Sequence, residues 1–311
     1  ATQNLGNIVD DDGPEDQLSR IDDDDNCTGF GFYQEEQFTC IPLLKWFTVS
    51  QFLYFVQPFA LLSNDPTQVF LFASANKMTP GGIYRLHVPY GVQEPNNLAA
   101  PVLEVPAAGV QLIVAGGVTE GKVDHSVLIA MSATALLHRS SKSGGKVVVR
   151  KLPEQYAEPV IFAYPTPDTY TLGPCSHART ISLAVSPADS SLLAISGWTN
   201  LLDNSGSERV WLSEDAGTSF TDVTYNLREA TGTIGQVRPS ALLLVPLKSA
   251  VALLAGTVSG VFVTFLRSNV QRWIRLGNWS TFPLVLVPGL SYQPLSDTVV
   301  AATMGRGVYV V

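Results

Sequence analysis

Charge is scarce in this chain. Of its 311 residues, 15% are charged and 46% apolar, whereas an ordinary globular domain carries about a quarter charged. So little charge leaves little solvated helix surface. No window of a dozen residues keeps a clean 3.6-residue apolar period, which argues against a helical architecture. Basic residues are few as well, 19 Lys and Arg against 27 Asp and Glu. They form no stripe, so nucleic acid is excluded as a partner. Long apolar runs are missing too. Residues 46–62 are interrupted by Ser50, Gln51, Gln57 and Pro58, and residues 241–258 by Pro246 and Lys248. Neither is the unbroken stretch of about 20 residues that a membrane-spanning helix needs.

Metal-ligand patterns are absent from the histidines. His87, His125, His138 and His177 show no H-x-x-x-H spacing and none stands beside a cysteine pair, so no metal and no cofactor is expected. Gly116-Gly117, Gly144-Gly145 and Gly305-Arg306-Gly307 resemble phosphate loops only superficially. None opens a helix, and each reads as a hairpin turn. There are three cysteines. Cys27 and Cys40 are a candidate disulfide, and a bridge between them would stabilise the fold by roughly 3 kcal/mol in the chain-entropy model. The alternative is three buried thiols. Two N-x-[ST] sequons place candidate glycans on Asn26 and Asn278. Together with the cysteines they point to the secretory pathway and a cell-surface or extracellular setting.

Much of the net charge of −8 sits at one end. Asp10, Asp11, Asp12, Glu15, Asp16 and Asp22 to Asp25 crowd the first 25 residues. This composition reads as a solvated acidic arm. Residues 1–44 are assigned to the arm and 45–311 to a folded body.

The body repeats itself. An apolar run ending in Ala and small residues occurs at 70–74, 127–132, 192–197, 253–257 and 299–303. The aligned alanines are Ala73, Ala130, Ala194, Ala255 and Ala301, separated by 57, 64, 61 and 46 residues. A preceding apolar strand is read at 59–62, 111–114, 182–185, 242–245 and 284–287. A third strand follows, as in Gly82-Ile83-Tyr84, Gly260-Val261-Phe262 and Gly307-Val308-Tyr309, with Leu136-Leu137 and Val210-Trp211 in the other two copies. Periods of this size with short β-type runs predict β-propeller blades carrying loop insertions. The long connections 91–109 and 153–180 are the expected contact surfaces. Five blades are expected, or six if 151–180 hides irregular strands. The fifth copy ends after its third strand, and Lys45-Trp46-Phe47-Thr48-Val49 has the pattern of a fourth strand without a blade of its own. The N-terminal strand is therefore expected to complete the last blade and remove an open edge.

After the third copy stands Ser213-Glu214-Asp215-Ala216-Gly217-Thr218-Ser219-Phe220. A Ser and an Asp two residues apart can fold their oxygens onto the N–H groups of a tight turn, and Gly permits positive φ. The aromatic packs beneath the hairpin. A worn copy keeps Ser141, Ser143 and Gly145 at the same spacing, with Ser143 in place of the Asp.

This motif, with five repeats around it, resembles the Asp-box (BNR-repeat) propeller superfamily. That group contains sialidases, xyloglucan-cleaving glycoside hydrolases, sortilin-type receptors and a photosystem II assembly factor. The resemblance implies an all-β propeller over 46–311 in which Ser213, Asp215, Gly217, Ser219 and Phe220 hold a blade turn rather than perform chemistry. Sialidases carry a Phe/Tyr-Arg-Ile-Pro motif. Here Tyr84-Arg85 is followed by Leu86-His87, so sialidase activity is not expected. A glycoside hydrolase would need two carboxylates about 5–10 Å apart across a sugar site. The candidates outside the arm, such as Asp189 and Asp297, sit in turn-like contexts. Cys175-Ser176-His177 places thiol and imidazole on opposite faces of an extended chain. The expected function is thus a non-catalytic extracellular interaction or assembly module, with protein or glycan partners that include copies of itself. The alternatives are a carbohydrate-active glycoside hydrolase and an organelle assembly factor.

Overall fold

A computed structural model of the chain describes residues 30–34, 37–41, 59–62, 65–75, 80–89, 98–132, 135–153, 182–198, 208–231, 239–277, 282, 284–293 and 296–310. They are almost wholly β, and their internal contacts define two units, 2–113 and 114–311. No helix among the described residues is long and apolar enough to cross a membrane.

In unit 2–113, β1 (Phe30–Gln34) and β2 (Gln37–Ile41) form an antiparallel hairpin that pairs Gly31 with Cys40. β3 (Phe59–Leu62), β4 (Asp65–Ala73), β5 (Gly82–His87) and β6 (Val102–Pro106) then run as an antiparallel series. Alternate residues of β4, Val69, Leu71 and Ala73, pack with Tyr84 and Leu86 of β5 in one core cluster. This is the period-2 placement of side chains on a pleated strand. β6 lies inside 91–109, the expected connection. Leu103 and Val105 pair there with Tyr84 and Ile83, and Glu104 meets Arg85 at 2.6 Å, so backbone pairing claims what its Pro-rich surroundings disguised.

The boundary between the units falls inside β7 (Val110–Thr119), which is followed by β8 (Lys122–Ser132), β9 (Ala135–Arg139) and β10 (Val148–Lys151) in the spatial order β10-β9-β8-β7. A second sheet holds β11 (Ser182–Val185), β12 (Leu193–Trp198), β13 (Glu208–Ser213) and β14 (Thr221–Asp222) in sequence order. A single helical turn, Leu227–Ala230, leads towards a third sheet. That sheet comprises β15 (Ala241–Pro246), β16 (Val251–Thr257), β17 (Gly260–Leu266) and β18 (Ile274–Arg275). The last sheet has three strands, β19 (Gly289–Gln293), β20 (Thr298–Thr303) and β21 (Gly307–Val310).

The third sheet is buried on both faces. Leu253 and Ala255 of β16 join Leu212 and Val223 in one core, while Ala252 and Leu254 join Val287, Leu290 and Ala301 in another. β17 divides likewise, Phe262 to the first core and Val261 and Val263 to the second. A strand sandwiched between two sheets must be apolar at every position, and Leu-Leu-Ala-Gly is the result. All five repeat alanines lie on the second strand of their sheet and are 0% exposed. Trp273 reinforces the first core: its Nε1–H donates to Val223 O at 2.9 Å and its amide donates to Asn226 Oδ1 at 2.7 Å.

One expected strand is displaced. Residues 284–287 are not the first strand of the last sheet; that role falls to β19, whose Leu290 pairs with Ala301. Val285 and Val287 are buried because 285–287 runs against the preceding sheet. Val287 N–H donates to Thr257 O at 3.0 Å, and Val287 O accepts from Ser240 Oγ at 2.8 Å. Gly256 permits the approach, since an added Cβ would lie 2.5 Å from Val287 O. The proposed closing strand 45–49 lies outside the described residues.

Ala255 has no room to grow between its neighbours. Ala255→Leu should cost about 1–3 kcal/mol in denaturant unfolding through overpacking, whereas Val308→Leu, on a residue 68% exposed, should leave the midpoint unchanged.

Candidate functional site

The turn after β13 is built almost entirely from its own side chains. Ser213 Oγ accepts the amide of Gly217 at 2.8 Å and donates to Asp215 Oδ1 at 2.8 Å. Asp215 Oδ1 also accepts the Ser219 amide at 2.8 Å, and Oδ2 accepts the Ser219 hydroxyl at 2.6 Å. Ala216 and Gly217 both hold positive φ, 57° and 80°. Gly217 is needed for two reasons. Its φ lies where L side chains are strained, and an added Cβ would sit 2.3 Å from Leu136 Cδ2 of β9. The turn is therefore pressed against the neighbouring sheet. Burial opposes ionisation of Asp215, but the hydrogen bonds from Ser219, Ser213 and Thr218 outweigh it and lower its pKa.

The turn after β9 repeats the backbone shape with different chemistry. Gly144 and Gly145 hold φ of 63° and 74° at the positions of Ala216 and Gly217. Ser143 Oγ accepts the Ser140 amide at 3.1 Å and stays within its own turn, bonding the carbonyls of Ser140 and Lys146. The carboxylate comes from seventeen residues upstream: Asp124 Oδ2 on β8 accepts the Ser141 amide at 2.9 Å and hydroxyl at 2.7 Å. Asp124 Oδ1 accepts the Ser126 amide and hydroxyl at 2.9 and 2.5 Å. Asp124 is 6% exposed. Burial works against its charge, yet these hydrogen bonds hold its pKa well below the usual carboxylate range. Beside it His138 is 6% exposed, with its Nε2 unpartnered. Burial and the Arg150 charge depress the His138 pKa, and Asp124 partly offsets them.

Beside the Ser213–Phe220 turn lies a cleft of about 560 Å³. Lys151, Leu152 and Pro153 at the end of β10 form one wall, and Arg209, Trp211, Thr218, Ser219, Phe220 and Asp222 complete the lining. Asp222 is its only carboxylate among the described residues and is ion-paired with Arg209. Thr224 and Arg209 lower the Asp222 pKa against the opposing effect of burial.

The structure thus brings Ser213, Asp215, Gly217, Ser219 and Phe220 together in one turn, with Phe220 half-buried on the cleft rather than sealed beneath the hairpin. Ser141, Ser143 and Gly145 share the second turn. Cys27, Asn26 and Asn278 lie outside the described residues, as does 154–181, while Cys40 stands on β2. Lys151, Arg209 and Asp124 were not singled out by motif. Asp124 had a signal, however: Asp65-Pro66-Thr67, Asp124-His125-Ser126 and Asp189-Ser190-Ser191 all begin a second strand or the turn before it. In each, Asp Oδ1 accepts the amide and hydroxyl of the residue two places on. No group of three His, Cys, Asp or Glu set to hold a metal occurs among the described residues.

The chain is similar in structure to the GH74 xyloglucanase from Xanthomonas campestris, with a TM-score of 0.54 at 14% identity over 91% of this chain and 40% of the enzyme. Sqt1 from Chaetomium thermophilum gives 0.39 at 13% identity over 81% of this chain and 67% of that one. A thermostable family-43 glycoside hydrolase gives 0.33 at 10% identity over 82% and 88%. The chain spans 40% of the length of the xyloglucanase it matches. No protein-family model and no curated protein matches it. The xyloglucanase likeness shows fold alone: the chain has a propeller-like all-β fold.

Asp215→Ala should lower stability by about 1–3 kcal/mol in denaturant unfolding by stranding turn amides. Acid should act in two stages. The folded His138 pKa is depressed, so its contribution is whole above about pH 6.5 and declines as pH falls below that value. The folded Asp124 pKa is also depressed, so its contribution holds above about pH 4 and is lost below. Melting temperature against pH should lose the upper decline in His138→Gln, and the lower one should become shallower in Asp124→Asn, with Asp215 and Asp222 supplying the remainder.

Proposed function

We propose that the chain is a five-bladed Asp-box β-propeller that serves as a non-catalytic interaction or assembly module of an extracellular surface or matrix glycoprotein. One observation carries the non-catalytic reading: among the described residues, most carboxylates are engaged in turns or ion pairs. Asp65, Asp124, Asp189 and Asp215 accept from turn amides and hydroxyls. Asp222 pairs with Arg209, Glu104 with Arg85, Glu214 with Arg267, and Asp297 accepts from Tyr292. A carboxylate locked in this way is poorly placed to shuttle protons between a leaving group and water. The Ser213–Phe220 turn is then the Asp-box, a fastening of the blade rim. Its partners are proteins or glycans, including further copies of the chain.

Closure by the N-terminal segment belongs to the same proposal. Among the described residues β21 is the outer strand of a three-stranded sheet in unit 114–311, and Val308 and Val310 are 68% and 76% exposed. An apolar edge left unpaired would invite aggregation. The segment 45–49 supplies a fourth strand of the right pattern.

Incubation with xyloglucan and other β-glucans should release no reducing ends. Turnover abolished by substituting two carboxylates from different sheets would establish the hydrolase instead. Deleting residues 1–50 should lower the melting temperature of the whole body; unchanged melting would remove the closure.

A further inference from the structure

The cleft beside the Ser213–Phe220 turn has the chemistry of a peptide site, and we propose that it binds a short extended peptide pairing an acidic side chain with an apolar one. This deepens the reading of the chain as an interaction module and rests on it. About 560 Å³ is in the range of small-ligand and peptide pockets.

Three kinds of group line it. The first is cationic. Lys151 is exposed and has no ion pair among the described residues, and Arg209 shares its charge with Asp222. The lining holds two cations against one carboxylate, and for Lys151 a ligand carboxylate is the complementary group. The second is apolar. Leu152 and Trp211 lie buried behind the surface, and Pro153 and Phe220 offer contact for one hydrophobic side chain.

The third kind is hydroxylic. The Thr218 hydroxyl donates to Asp215 O at 2.8 Å, and the Ser219 hydroxyl donates to Asp215 Oδ2 at 2.6 Å. A hydroxyl has one proton and two lone pairs. With both protons committed inward, these exposed oxygens accept from a ligand, and peptide N–H groups are donors of that kind. A neutral sugar would bring donors too, but no anion for Lys151.

The test is selection of displayed random short peptides on the full chain, followed by fluorescence anisotropy with the retained peptides after labelling. Retained sequences should combine Asp or Glu with an aromatic, Leu or Pro. Lys151→Glu, at an exposed position, should melt as the parent does and weaken binding by about tenfold, whereas Lys151→Arg should keep it. Retained peptides without acidic residues, binding indifferent to Lys151→Glu, no retention at all, or retention of neutral oligosaccharides in place of peptides would each overturn the proposal. Binding indifferent to Lys151 would still leave the chain an interaction module, whose own failure is read separately in the glucan assay.

Discussion

Two-sided burial of the sheets is the constraint on which the rest of unit 114–311 depends. Residues on β16 alternate between two cores: Leu253 and Ala255 to one, Ala252 and Leu254 to the other. A sheet with one wet face would show polar residues at every second position. Here the third sheet has no wet face to clothe, and its first three strands accordingly carry no charged residue. The price is tight spacing. Ala and Gly must stand where backbones or neighbouring sheets approach, as Gly256 does against Val287 and Gly217 against Leu136.

Some of the buried polar groups fasten one sheet to the next. Ser196 Oγ reaches Pro239 O at 3.0 Å, and Ser182 Oγ accepts the Leu242 amide at 2.8 Å. The Ser190 amide donates to Val118 O at 2.7 Å. Such bonds add little net energy each, but leaving the buried partner unpaired is costly. The two rim turns show one backbone solution reached by two routes. Asp215 supplies its carboxylate locally; Asp124 supplies it from the second strand of the same sheet.

Much of this was legible in the sequence, because strand periodicity and small-residue register are local signals. The five aligned alanines are fully buried on second strands, and the Gly-led third strands begin at Gly82, Gly260 and Gly307. What escaped was tertiary. An apolar run such as 284–287 looks like a strand whether it pairs in a ladder or packs against a neighbouring sheet, and only the bonds of Val287 to Thr257 and Ser240 distinguish the two. β6 carried a strand pattern between prolines and was read as connection. The cleft could not be read at all, since Lys151 and Arg209 are far apart in the chain and line one hollow only in the folded structure.

Native-state hydrogen exchange tests the two-sided burial most directly. Amides of Ala252–Ala255 should exchange only through unfolding of the whole unit, with a free energy equal to global stability, while those of the outer strand β18 exchange through local fraying. Exchange of the β16 amides at the rate of β18 would mean that the sheet has an open face, and the account of a stacked, propeller-like core would be wrong.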